Sequence, residues 1–349
     1  MARATGPQQM PNEKVFRIAR QGIAIEVIEY GARLKSCLVP DASGELADVV
    51  PGFDSASDYA ERGGTMGAVL GRYGNRIGFG QVSIGGRAYQ LSRNDGHHTM
   101  HGGLGHFGTH RWTGVEVGPY SAALELTSED GDQGWPGQMQ ARVVYTLAEN
   151  AELQIDMQAI CNHDTFVNML FHGYWNLAGH AAGSVEDHIL KVAADHYTPK
   201  GENGLPTGQL ESVEGTAFDF RKPKRVGADI GTTGRGYAHN LCLNDYTDEH
   251  CRPVAWLLDP KSGRALTLAT DQPGLQLFTA NSWTGIPGKN GAIYQAHDGL
   301  ALETQLYPNT PNTPSFAPRI VRAGETYRHK IVVRFEGLEP ARQAAFFEN

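Results

Sequence analysis

Apolar residues recur at every second position in short runs along much of the chain. Ile23, Ile25 and Val27 alternate with smaller or polar neighbours, and Leu153, Ile155, Met157 and Ala159 alternate with Gln154, Asp156 and Gln158. A period of two turns one face of an extended segment toward a core and the other toward water. The same pattern predicts strands at 22–28, at 33–39 before Pro40, at 122–127 and around 330–335. Residues 253–283 read as three more, at 254–258, 265–270 and 275–279, with Gly263 in the first turn and Pro273-Gly274 in the second. One helix is predicted over 54–61, with Asp54 or Ser55 as its N-cap.

Residues 1–14 are polar and irregular and read as a loose tail. Residues 338–349 read as a short helix or a second tail. Between them, glycine and proline punctuate the chain so often (43 and 18 residues) that many short strands fit better than long helices. No repeat of fixed period appears, and no break in composition marks a linker. The expectation is an all-β fold with few short helices, a single large β-sandwich domain over 15–337.

Charge removes several function classes. The formal net charge is −8 and no basic block is present, which argues against nucleic acid and against an anionic membrane surface. No apolar run is long enough to span a bilayer. The first twenty residues show no apolar leader segment, so a cytoplasmic location is expected. Cys37, Cys161, Cys242 and Cys251 form no C-x-x-C pair and read as free thiols of a reducing compartment.

Histidine is the first chemical signal. His97, His98 and His101 fall within five positions, but glycines flank them and no cysteine is near. Zinc wants three or four ligands at helix or turn spacing, so no metal is expected there. His97 and His98 read as solvated loop residues. His101, before Gly102-Gly103, stands where a side chain can enter a cleft while the backbone turns. There is no G-x-S-x-G elbow. The glycine-rich stretch Gly71–Gly78 carries neither G-K-[ST] nor G-x-G-x-x-G before a helix, so no nucleotide cofactor is expected. His172 sits among Leu170, Phe171, Tyr174 and Trp175, and Glu303 stands in Ala301-Leu302-Glu303-Thr304-Gln305. Taken alone, His172 also suits a structural core histidine, and Glu303 a strand carboxylate facing solvent.

Several stretches in order decide between these readings. They are Ala47–Asp54, Gly71–Ile77, Met100-His101-Gly102-Gly103, Val167–Gly179, Leu205–Gly208, Phe218–Arg221, Ala301–Gln305 and Arg322–Tyr327. Together they resemble the aldose 1-epimerase (galactose mutarotase) family over about residues 15–336. The resemblance implies a galactose-mutarotase-like β-sandwich (supersandwich) with a sugar in an open cleft. It implies interconversion of the α and β anomers of a free aldose, with Glu303 as base and His172 as acid. Asn75, Arg76, His101 and Gln276 match sugar-contacting positions, and Trp175 or Trp283 would stack on the sugar's apolar face. No cofactor is implied, the partner is a small-molecule aldose, and monomer and dimer stay open.

Two departures bear on specificity. Ala238 stands where the family commonly has a sugar-binding aspartate, and Phe171 and Gly173 replace the usual asparagine and serine. Three other functions compete. A sugar-phosphate epimerase would need basic groups at the cleft, for which Arg72/Arg76 and Arg221/Lys222 are the candidates. A non-catalytic sugar-binding protein on the same fold would explain Ala238. A metal-binding protein would rest on the histidine loop.

Overall fold

The structure is a computed structural model that describes residues 13–247 and 250–348. The expected tail over 1–14 lies almost entirely outside the described residues. The described residues are all-β apart from short helices, as the alternation indicates.

A nine-stranded antiparallel sheet forms the widest layer. Its order is Thr113–Val117, Ser121–Ser128, Met139–Leu147, Glu152–Cys161, Thr326–Gly337, Arg264–Thr270, Arg252–Leu258, Ile189–Val192 and Lys224–Arg225. A six-stranded sheet faces it, in the order Tyr174–Trp175, Leu300–Gln305, Gly274–Phe278, Ala238–Leu243, Ala194–Tyr197 and Glu211–Ser212. A four-stranded sheet runs from Val15 to Asp48. One apolar cluster joins all three: Ile25 from the small sheet, Ile155 and Val333 from the wide one, Leu277 and Leu302 from the six-stranded one. Thr304 and His329 meet between the two larger sheets, Oγ1 to Nε2 at 2.8 Å.

The helix forms at Ala56–Arg62, with Ser55 as N-cap and Asp58 completing a capping box. The strand Val15–Arg20 is not evident from the sequence pattern, because only Phe16 and Ile18 are buried on its inner side. Its outward Arg17 pairs with Glu26, and Arg20 at its end pairs with Glu149. At the C-terminal end, Pro340–Gln343 forms one helical turn.

Candidate active site

Alternation along the six-stranded sheet builds the floor of the site. Leu241, Leu275, Leu277 and Leu302 join the core. The residues between them therefore face the other way. Register places Asn240 opposite Gln276 and Gln276 opposite Glu303, a polar row across three strands. A parallel row on the same face holds Ala238, Phe278, Ala301 and Tyr174. Glu303 is a strand carboxylate, but it faces this floor and not solvent, with only 2% of its surface exposed.

His172 is delivered by a chain crossing. Leu170–His172 pairs with Ala68–Leu70, and two residues later Tyr174–Trp175 pairs with Leu300–Gln305. The chain changes sheets at Gly173, where a Cβ would lie 2.3 Å from the Phe171 ring. The two departures in this motif are thus one exchange: the Phe171 ring fills the space that a residue 173 side chain would take. The crossing sets His172 Nε2 3.4 Å from Glu303 Oε1. The Tyr174 ring lies 4.9 Å from the His172 ring, centroid to centroid.

Asn75 and His101 form the opposite wall. Both adopt positive φ, 59° and 55°, in the left-handed region that non-glycine residues rarely enter. They are tied back to back. The His101 N–H donates to the Asn75 carbonyl at 3.0 Å, and the Asn75 N–H donates to His101 Nδ1 at 3.2 Å. Nδ1 is therefore an acceptor, and the neutral ring carries its proton on Nε2. Asn75 Nδ2 donates to Gln276 Oε1 at 3.2 Å and to Gln305 Oε1 at 3.3 Å. Arg76 Nε donates to Asp95 Oδ2 at 2.7 Å. The ligating atoms of His101, His172 and Glu303 lie within 4.8 Å of one another, the only such three-donor group among the described residues.

Burial sets the electrostatics. It pushes the Glu303 carboxyl up to about 8 and the His172 imidazole down to about 3. The His101 ring is held well below its ordinary value by burial and then by His172. Glu303 Oε2, His172 Nδ1, Gln305 Nε2 and both amide atoms of Asn240 are buried with no protein partner. An unpaired buried polar atom costs about 1–3 kcal/mol. Such a floor suits a ligand rich in hydroxyl groups.

The structure brings His172, Glu303, Asn75, His101 and Gln276 together and sets Arg76 beside them. Other expectations are corrected. Trp175 is packed in the core against Phe335 and cannot line the cleft. Trp283 packs against Tyr174 with ring centroids 4.7 Å apart and planes tilted by 47°, and joins a buried aromatic cluster. The Tyr174 ring lies against His172, and Phe278, its cross-floor neighbour, meets Tyr174 edge to face at 6.2 Å. His98 is not a solvated loop residue: it is buried, and its Nδ1 accepts the Phe79 N–H at 3.0 Å. The turn between Asp95 and His98 folds it back under that backbone. Arg72 is not a cleft cation either, since it is buried and bound by Ser128, Glu129 and Pro136. Arg221 is paired with Asp219 and Asp195. Gln305 is the site residue that sequence reasoning passed over; its place two positions after Glu303 was the available signal. A cavity of about 800 Å³ opens elsewhere, beside Tyr307 and Tyr327, and neither His172 nor Glu303 lines it.

Comparison with known proteins gives this geometry a family. The aldose 1-epimerase family model matches residues 14–334. The chain belongs to the aldose 1-epimerase family. It is 38% identical to mouse galactose mutarotase over 322 residues, 92% of this chain and 93% of that one. It is 36% identical to the human galactose mutarotase with the same coverage. The aldose 1-epimerase of Haemophilus influenzae is 35% identical over 315 residues, 89% of this chain and 91% of its own. Among solved structures, an aldose epimerase homologue from C. elegans superposes with a TM-score of 0.87 at 28% identity, covering 94% of this chain and all of that one. The galactose-mutarotase-like fold expected from the sequence is therefore borne out.

Proposed function

We propose that this aldose 1-epimerase moves protons through His172 and Glu303, and that a free aldose lies over the floor between them. The observation that carries the reading is the 3.4 Å approach of an imidazole to a carboxylate, both buried, in a site lined with unpaired polar atoms. Glu303 takes the proton of the C1 hydroxyl while His172 gives one to the ring oxygen. The C1–O5 bond breaks with its electron pair going to O5, and C1 becomes an aldehyde. After rotation about C1–C2, O5 attacks the other face and both protons return. Nothing is consumed, and no redox or nucleotide chemistry is needed. Asn75, His101 and Gln276 hold hydroxyls, Arg76 reaches the rim, and Tyr174 and Phe278 offer ring surface. The unpaired thiols of all four cysteines suit a reducing cytoplasm.

Burial places the single proton of the resting pair on Glu303 and leaves His172 neutral. The working form has the same proton count, with one proton moved across the 3.4 Å gap. Sugar hydroxyls donating to the carboxylate favour its ionised form and drive that transfer. The pair therefore needs one proton in total, whichever group holds it.

Polarimetry of freshly dissolved α-anomers across pH tests the reading. Acceleration over buffer is expected on at least one neutral aldose. The ratio kcat/KM should be level near neutrality, fall as pH rises through about 8 when the pair loses its proton, and fall in acid toward about 3 when it gains a second. No acceleration on any aldose, or activity still rising above pH 8, would contradict it.

A further inference from the structure

The rim of the cleft carries two cations, Arg76 and Lys200, and the proton transfers at C1 use neither. Thr198 donates its N–H to the Asn240 carbonyl at 3.0 Å, so the chain beyond it runs beside the strand Ala238–Leu243. This brings the Lys200 ammonium onto the Ala238 carbonyl. Lys200 also bridges to Pro206, and the neighbouring Leu205 side chain packs on Gly78, two residues from Arg76. The Arg76 guanidinium is close enough to act on the Lys200 ammonium, which burial and that charge push down to about 8. No carboxylate offsets either effect at Lys200. Arg76 spends its Nε on Asp95, and its terminal nitrogens have no protein partner among the described residues. Two cations and one carboxylate leave a single uncompensated positive charge. The Ala238 side chain on the cleft face supplies no acceptor to balance it.

We propose that Lys200 and Arg76 recognise a carboxylate on the sugar, so that the preferred substrate is a uronate, an aldose oxidised at C6. The proposal rests on the mutarotase reading and names the substrate class for that same site. Ala238 is two strands from Glu303 along the floor. With neighbouring strands roughly 4.8 Å apart, and Ala238 also offset from the Glu303 row by two residues of about 3.3 Å each, that is about 12 Å. A pyranose with its C1 hydroxyl on Glu303 and a C6 group hydrogen-bonded at the rim spans a similar distance. The guanidinium fork and an ammonium together suit a planar carboxylate. One net positive charge matches a monoanion better than a phosphate dianion.

The test compares galactose, galacturonate and galactose 6-phosphate by polarimetric relaxation at low ionic strength, in the wild type and in Lys200→Met. Wild type is expected to favour galacturonate over galactose in kcat/KM by roughly 10- to 100-fold, the scale of one charge-assisted hydrogen bond. Lys200→Met should lower that ratio by about 10-fold or more, and added salt should lower it in the wild type. A wild type that prefers galactose, or a ratio unmoved in Lys200→Met, overturns the proposal. Preference for the phosphate overturns the carboxylate assignment. Turnover of galactose without galacturonate sinks this inference alone, while no turnover of any of the three sinks the mutarotase reading with it.

Discussion

Glu303→Gln is expected to lower kcat by about 10³-fold, within the 10²–10⁴-fold that one positioned proton transfer contributes. The amide keeps the shape of the side chain and can still hydrogen-bond a hydroxyl, so KM should change little. It cannot hold or release the proton that each half-reaction needs. Stability should move in the other direction. The carboxyl titrates near its ordinary 4.5 in the unfolded chain and near 8 in the folded one. Between those values the unfolded chain has released the proton and the folded chain has not, so folding stability falls across that window as pH rises. A glutamine has no such penalty. At pH 8 the variant should melt at least ~2 °C above the wild type, a shift that a change of about 1 kcal/mol produces in a domain of this size. Calorimetry beside kinetics checks both signs. A variant that is less stable and still active would contradict the proposed role and the burial argument together.

Gly102→Ala is expected to cost the most stability of any single methyl at the site. A Cβ there would lie 1.9 Å from the Gly71 carbonyl oxygen and 2.6 Å from its carbon. Backbone cannot swing aside as a flexible side chain can. The residue also has φ of 103°, where any side chain is strained. The loss should exceed ~3 kcal/mol, combining that strain with a collision. Activity should fall as well, because Gly102 follows His101 in the turn that holds the Asn75 wall. Gly96→Ala is the matched control: its φ is 60°, yet nothing lies within 4 Å of the added methyl. It should cost only the left-handed penalty, roughly 1–2 kcal/mol. Equal melting temperatures for the two variants would show that the Gly71 contact does not matter.

Much of this site is legible as alternation. Once Leu302 is taken as core, Glu303 must face away from it, and the same step places Gln276 against Leu275 and Leu277. The capping box at Ser55 and Asp58 is local and equally readable. Long-range facts are not. Nothing along the chain says that Arg72 turns inward to Ser128 while Arg76 turns out to Asp95, since both leave the same glycine-rich stretch. Trp175 and Tyr174 are adjacent, so a pleated strand sends one to the core and one toward the cleft, and only the register decides which. Lys200 lies far in sequence from Arg76 and within reach of its charge in the fold. Its position depends on the strand pairing that seats residues 198–200 along Ala238–Leu243. The family resemblance supplied the roles of His172 and Glu303, and it could not supply a lysine that the motifs do not include.

The most direct measurement is the polarimetric relaxation of fresh α-galactose or α-galacturonate with wild type, Glu303→Gln, His172→Ala and the double variant. Two groups that exchange protons with one bound sugar act as a unit. Each single variant should lose about 10²–10⁴-fold, and the double variant should lose little more than the worse single one. Losses that multiply in the double variant, or a single variant with wild-type rate, would show that His172 and Glu303 do not share one reaction.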